Sequence, residues 1–162
     1  MELIDLIDED DIVVGTTDVK TAHTRKQLHR VVGVFVFDEA ENLYLQKGNK
    51  YGKYDLSVGG HVAQGESYDA AACREMREEL GLNILIDHII TFFPADARLG
   101  HRWALYRGTA PHGWKFSETK EVQSLESMSL ETIIALLAIH PERFTQGFIN
   151  TIREFIKIKA KH

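Results

Sequence analysis

The apolar residues of this chain follow two periods, and each period predicts its own set of elements. Runs with period two, or apolar throughout, read as strands. Leu3–Ile7 and Ile12–Gly15 flank the acidic turn Asp8–Asp11 and predict a small hairpin with a solvated tip. Arg30–Phe37 (RVVGVFVF) is almost entirely β-branched or aromatic, as in a strand covered on both faces. Leu43–Gln46, Asp55–Val58 and Arg102–Arg107 are further strands, and Ile84–Phe93 is one strand or a bent pair.

The helical period appears three times. Cys73, Met76 and Leu80 stand at i, i+3 and i+7, an apolar stripe on a helix over Ser67–Leu80. Ala70, Ala71 and Ala72 favour that helix, Ser67 or Glu66 caps it, and Gly81 stops it in the left-handed conformation. Ser129–Ala138 is a helix capped by Ser129 and ended at His140-Pro141. Phe144–Lys159 is amphipathic, with Phe148, Ile152, Phe155 and Ile156 on its apolar side. Asp18–Gln27 reads as a short helix or a loop, and Glu118–Glu126 as polar chain with Val122 and Leu125 as its apolar positions. Strands flanked by three helices predict an α/β fold with helices on both faces of a mixed sheet. No repeat or linker divides the chain, so residues 1–162 are expected to form a single domain.

Composition narrows the partners. A chain of 162 residues with 44% hydrophobic residues can bury its own core. A net charge of −5 gives no basic field, so no nucleic-acid partner is expected. No apolar run approaches the ~18 residues of a membrane span. The acidic start MELIDLIDEDD does not resemble a signal peptide. The single cysteine, Cys73, forms no intrachain disulfide and is expected in the core, and these features together predict a cytoplasmic protein.

The chemistry gathers between Gly60 and Leu82. On the predicted helix, Glu75, Glu78 and Glu79 stand at i, i+3 and i+4 and share one face. Like charges so placed destabilise a helix by roughly 0.2–0.5 kcal/mol per pair. A solvated acidic face is one reading of them. The other is a site for a hard divalent cation, which relieves the repulsion by taking oxygen ligands. Ala71 and Ala72 flank Glu75 and are expected to leave room for metal and phosphate. Gly48–Tyr54 is a glycine-rich loop with Lys47, Lys50 and Lys53 in or beside it, either an ordinary exposed loop or one whose lysines meet phosphate.

Gly60, Glu66, Arg74, Glu75, Met76, Glu78, Glu79, Gly81 and Leu82 match Gly-x5-Glu-x7-Arg-Glu-apolar-x-Glu-Glu-x-Gly-apolar at every fixed position. The stretch resembles the Nudix box. That resemblance implies an α/β/α sandwich with a mixed sheet, here with an N-terminal β-hairpin. It implies a metal-dependent hydrolase of a small-molecule diphosphate, of nucleoside diphosphate or related type, with Mg²⁺ or Mn²⁺ as cofactor and a homodimer as the family-level expectation. It assigns metal binding to Glu75, Glu78 and Glu79 and to the carbonyl of Gly60, with Glu78 and Glu79 foremost. Glu66 and Arg74 are expected to pair and hold the loop against the helix. Glu121 matches a position where relatives carry a further acidic residue and is the candidate base, ahead of Glu118. His61 and the three lysines are candidate substrate ligands. A non-catalytic module that senses a nucleotide or sugar diphosphate is the alternative, and specificity is expected in the loops Gly48–Tyr54 and Asp96–His101.

Roughly the first half of the chain is also similar to the isopentenyl-diphosphate-isomerase-like branch of Nudix proteins, through Ala22-His23-Thr24, Leu28-His29-Arg30 and Leu56-Ser57-Val58-Gly59-Gly60-His61. Isomerases carry a catalytic cysteine where Gly59 stands, and they use three histidines and two glutamates for a metal. His23, His29 and His61 match the histidines, with the first two one residue closer together. The glutamates would fall near Leu99 and His101 and are missing, so isomerase chemistry is not expected. The three histidines are expected to be unrelated surface residues, with a residual metal site as the alternative.

Overall fold

The computed structural model describes residues 1–48, 52–95 and 100–161. Its elements in chain order are β1 (Leu3–Ile7), β2 (Val13–Asp18), α1 (Val19–Arg25), β3 (His29–Phe37), β4 (Leu43–Lys47), β5 (Val58–His61), α2 (Tyr68–Leu80), β6 (Asp87–Phe92), β7 (His101–Thr109), β8 (Ser124–Met128), α3 (Leu130–Ile139) and α4 (Gln146–Ala160).

The apolar β3 is the centre of the sheet. β7 runs parallel along its whole length, from His29 opposite His101 to Phe37 opposite Thr109. Three strands share its other edge. Leu6 of β1 faces His29, β5 pairs antiparallel with Val31–Val34, and Leu43 of β4 faces Phe37. β2, β6 and β8 extend the sheet beyond β1, β7 and β4. The period-two alternation then sorts side chains by face. Val31, Phe35, Phe37, Trp103 and Leu105 pack against Ile133 of α3 and Phe148, Ile149, Ile152 and Phe155 of α4. Val32, Val34, Val36, Ala104 and Tyr106 pack against Ala71, Ala72, Met76 and Leu80 of α2. Each large apolar side chain so buried contributes about 1.5–3 kcal/mol. The result is the expected α/β/α sandwich on a mixed sheet, with β1 and β2 as its N-terminal hairpin.

Local signals place the helix ends. The Ser67 side chain accepts from Ala70 N at 3.1 Å, and Gly81 closes α2 at φ 66°. Ser129 and Thr145 cap α3 and α4 in the same way, accepting from Thr132 N and Phe148 N.

Of the two readings of Asp18–Gln27 the helix holds, as Val19–Arg25, capped by the Asp18 carboxylate on Thr21 N. Other expectations are corrected. The polar stretch before α3 contains β8, which pairs with β4 because its backbone completes that edge. Ala71 and Ala72 face the sheet and are fully buried, so their small size brings α2 close to it rather than leaving space for metal and phosphate. Cys73 is only half-buried. Asp11, in the supposedly solvated hairpin tip, accepts from Arg30 Nε at 2.7 Å and from Arg102 Nη1 at 2.9 Å.

Candidate active site

The turn before α2 and the helix itself deliver the charged groups. Arg74 is the hub. Its Nε and Nη2 donate to the two oxygens of Glu66 at 2.8 and 2.9 Å, Nη1 donates to Glu75 at 2.9 Å, and Nη2 also reaches the His61 carbonyl at 3.0 Å. The fork therefore ties the loop after β5 to the helix. Glu66 also accepts from Ala63 N. Its hydrogen bonds from Arg74 hold the Glu66 carboxyl below the usual range, and the same bonds raise Arg74.

Glu75 and Glu79 face inward. Gly60 pairs with Val32 on the face toward α2, and a Cβ there would overlap the Glu75 carboxyl. A glycine is therefore required for close approach of the carboxylate to the strand. Glu79 reaches the open edge of β5, where it accepts from Gly59 N at 3.2 Å and from Gln46 Nε2 at 3.1 Å. Burial pushes Glu75 up to about 7, against the pull of Arg74. Burial pushes Glu79 up to about 8, helped by repulsion from Glu75 and Glu121. One ligand atom each from Glu75, Glu79 and Glu121 lie within 4.8 Å of one another. Glu121 arrives there because Thr119 Oγ1 donates to the Glu79 carbonyl at 2.8 Å, fastening the loop before β8 to the end of α2.

Glu78 stands apart from that trio. It is 46% exposed and pairs with Arg74 at 3.2 Å. Of the lysines, Lys53 lines a cavity described below, while Lys47 lies 3.4 Å from Glu126 and above the Tyr54 ring. Lys50 falls outside the described residues, as do positions 96–99 of the second expected specificity loop. Gln46 and Thr119 were not singled out from the sequence. The Leu43–Lys47 alternation gives Gln46 its sidedness, but its partner is 33 residues away and carries no local signal.

The cavity has a volume of about 730 Å³. Glu79, Gly59 and Gly60 line it on one side, His23, His61 and His101 on another, and Val31, Leu56 and Trp103 along its apolar wall. The histidines are not unrelated surface residues. His29 faces His101 across the β3–β7 pair, His61 faces Val31 across β3–β5, and α1 brings His23 over them. Residues i and i+2 of a strand share a face, so three of the four rings belong to one side of the sheet by register alone. Burial lowers all four, His61 to about 4 and His101 to about 3.

Residues 27–148 match the family profile of the NUDIX domain. This chain is a member of the Nudix family. An isopentenyl-diphosphate Delta-isomerase of Pectobacterium atrosepticum is 29% identical over 156 residues, 88% of this chain and 85% of that protein. An uncharacterised Nudix hydrolase of Streptomyces coelicolor is 37% identical over 108 residues, 63% of this chain and 60% of that one. Among solved structures, the Deinococcus radiodurans protein DR0079 superposes with a TM-score of 0.75 at 26% identity, covering 93% of this chain and 96% of that one. A MutT protein of Methanosarcina mazei superposes at 0.65 with 19% identity over 83% of this chain and 96% of that one, a likeness of fold alone. No helix among the described residues is long and apolar enough to cross a membrane.

Proposed function

We propose that this Nudix protein hydrolyses a diphosphate linkage in a small molecule, of nucleoside diphosphate or related type, with a divalent cation held by Glu75, Glu79 and Glu121. The supporting observation is the convergence of those carboxylates, with Glu79 on the wall of the large cavity. The donor set fits Mg²⁺ or Mn²⁺. It is all oxygen and mutually close, and two of its three carboxylates are buried beside a glycine-lined strand edge. Bound there, such a cation neutralises phosphoryl oxygens and acidifies a water.

The chain's own residues do the rest. Arg74 and Gly60 set the position of Glu75, while Gln46 and Gly59 N set that of Glu79. Water attacks phosphorus, the bridging P–O bond breaks, and the water proton passes to a carboxylate. Glu121, the exposed member of the trio, is the acceptor open to solvent. Lys53 and His61 on the cavity wall meet the substrate phosphates. Glu78 stands outside the trio, paired with Arg74 at 3.2 Å, and would join the cation's ligands only by leaving that partner. Isomerisation is not proposed, because Gly59 supplies no thiol and Cys73 is not among the cavity-lining residues.

The test is a screen of nucleoside di- and triphosphates, nucleoside diphosphate sugars, dinucleoside polyphosphates, coenzyme A and isoprenyl diphosphates with Mg²⁺ or Mn²⁺. Release of a phosphate-bearing product that chelation abolishes is expected. Activity indifferent to chelation, or silence across the screen with tight binding, refutes the reading in favour of a sensing module.

A further inference from the structure

We infer that His23, His29, His61 and His101 form a second cation site, an all-nitrogen one that takes a late first-row divalent ion such as Zn²⁺ or Co²⁺ in preference to Mg²⁺. His101 distinguishes it from the isomerase pattern, which places carboxylates in this stretch. The inference does not depend on the hydrolase reading.

Three observations carry it. The first is spacing. One ring nitrogen from each histidine lies within 4.8 Å of all the others. Nε2 of His23 is 3.0 Å from Nε2 of His61 and 3.2 Å from Nε2 of His101. A tetrahedral ion with metal–nitrogen distances of about 2.0–2.1 Å sets its ligands about 3.3 Å apart. Two edges of such a tetrahedron are therefore already close to length.

The second is an orphaned atom. His29 is fully buried, its Nδ1 donates to the Gln27 carbonyl at 2.7 Å, and its Nε2 is buried with no hydrogen-bond partner. The bond to Gln27 fixes the tautomer and leaves Nε2 as a lone pair. A ligating histidine is oriented in this way, through its other nitrogen on a backbone carbonyl. Left unsatisfied, a buried acceptor is a net cost to the fold.

The third is proton arithmetic. A neutral imidazole has one N–H. Nε2 of His23 confronts two ring nitrogens at once, and it either donates to one or offers one lone pair to both. No arrangement of these protons supplies His29 Nε2 with a donor. One cation placed among four lone pairs satisfies every one of them. Imidazole is a borderline ligand that suits Zn²⁺ and its neighbours, while Mg²⁺ prefers carboxylate, carbonyl and water oxygen. The two proposed sites then have opposite preference, oxygen at Glu75, Glu79 and Glu121 and nitrogen at the histidines, and Glu79 of the one and His23, His61 and His101 of the other line the same cavity.

The test uses the full chain, stripped of metal and titrated with Co²⁺ in excess Mg²⁺. The expected result is about one Co²⁺ per chain, the intense visible absorption of tetrahedral coordination, and its loss on adding Zn²⁺. His101→Gln and His23→Gln should each weaken Co²⁺ binding at least tenfold, and His23, being exposed, gives a variant that leaves the buried packing untouched. Glu79→Gln should leave the cobalt spectrum in place, and the wild-type response to Mn²⁺ at the carboxylates reports separately on that centre. A weak octahedral spectrum, full competition by Mg²⁺, or unchanged affinity in both histidine variants overturns the inference.

Discussion

Glu79→Gln separates the carboxylate site from an ordinary acidic helix face. The substitution keeps the shape and removes the charge. In the native protein Glu79 titrates near 8, against 4.5 for the free side chain. The folded state therefore holds a proton that the unfolded state releases above pH 4.5, so the unfolded state binds fewer protons. Metal-free stability is fully present below pH 4.5 and falls as pH rises toward 8, by up to about 1.4 kcal/mol per pH unit. Glu75, raised to about 7, adds to the fall over the lower part of that window. From pH 6 to 8 the loss from Glu79 alone is on the order of 2 kcal/mol, or roughly 4–8 °C in Tm at this chain length. In the variant, the glutamine oxygen in the Oε2 position still accepts from Gln46 Nε2 and Gly59 N, but the amide nitrogen in the Oε1 position faces the Gly59 N–H in place of an acceptor, a cost of about 1 kcal/mol. The two curves should therefore cross. The variant is slightly less stable near pH 5, more stable near pH 9, and flatter between. Mg²⁺ should raise the wild-type Tm, since it binds only the folded state, and should raise the variant's far less. Turnover should fall by about 10²–10³. Melting curves across pH with and without Mg²⁺, beside kinetics on a substrate from the screen, decide the matter. Near wild-type turnover with an unchanged pH slope and a full metal-induced shift would show that the acidic face is not the catalytic centre.

Gly60→Ala should lower metal-free stability by about 1–3 kcal/mol and depress activity, because the new Cβ overlaps the Glu75 carboxyl; denaturant melts and kinetics check both. Arg74→Lys keeps the charge but loses the fork on Glu66 and the reach to the His61 carbonyl, so turnover should drop about 10–100-fold while the protein stays folded by circular dichroism. Incubation with isopentenyl diphosphate should give no dimethylallyl diphosphate above the no-enzyme control, because no thiol replaces Gly59; a clear excess of product would reverse that assignment.

What could be read from the chain was whatever depends on neighbours in sequence. The β3 strand, the caps at Ser67 and Ser129, and the stop at Gly81 each have their cause within a few residues. The charged frame of α2 was legible for the same reason, since helical spacing alone puts Glu75 and Glu79 together. Pairings were not. β8 lacks an apolar run and owes its existence to the edge of β4. His101 acquires a role only through its register opposite His29, which no spacing in the chain announces. Glu78 shows the limit of helical-wheel reasoning: it shares a face with its neighbours, yet Arg74 draws its carboxylate aside.

The lock at the hairpin tip bears on where this protein can be cut. Asp11 holds its backbone at φ 64° and accepts from Arg30 on β3, Arg102 on β7 and the Tyr68 hydroxyl at the start of α2. All of these but Asp11 lie inside the stretch matched by the family profile, 27–148, while Asp11 lies outside it. The limit of the family profile is thus not expected to be the limit of cooperative folding. A fragment trimmed to the matched residues would leave two half-buried arginines without their shared carboxylate, remove His23 from the histidine cluster, and strip most of α4 from the apolar face of the sheet. Such a fragment is expected to come out insoluble or molten, with the β1–β2 hairpin before α1 needed in the minimal unit as much as the Nudix box is.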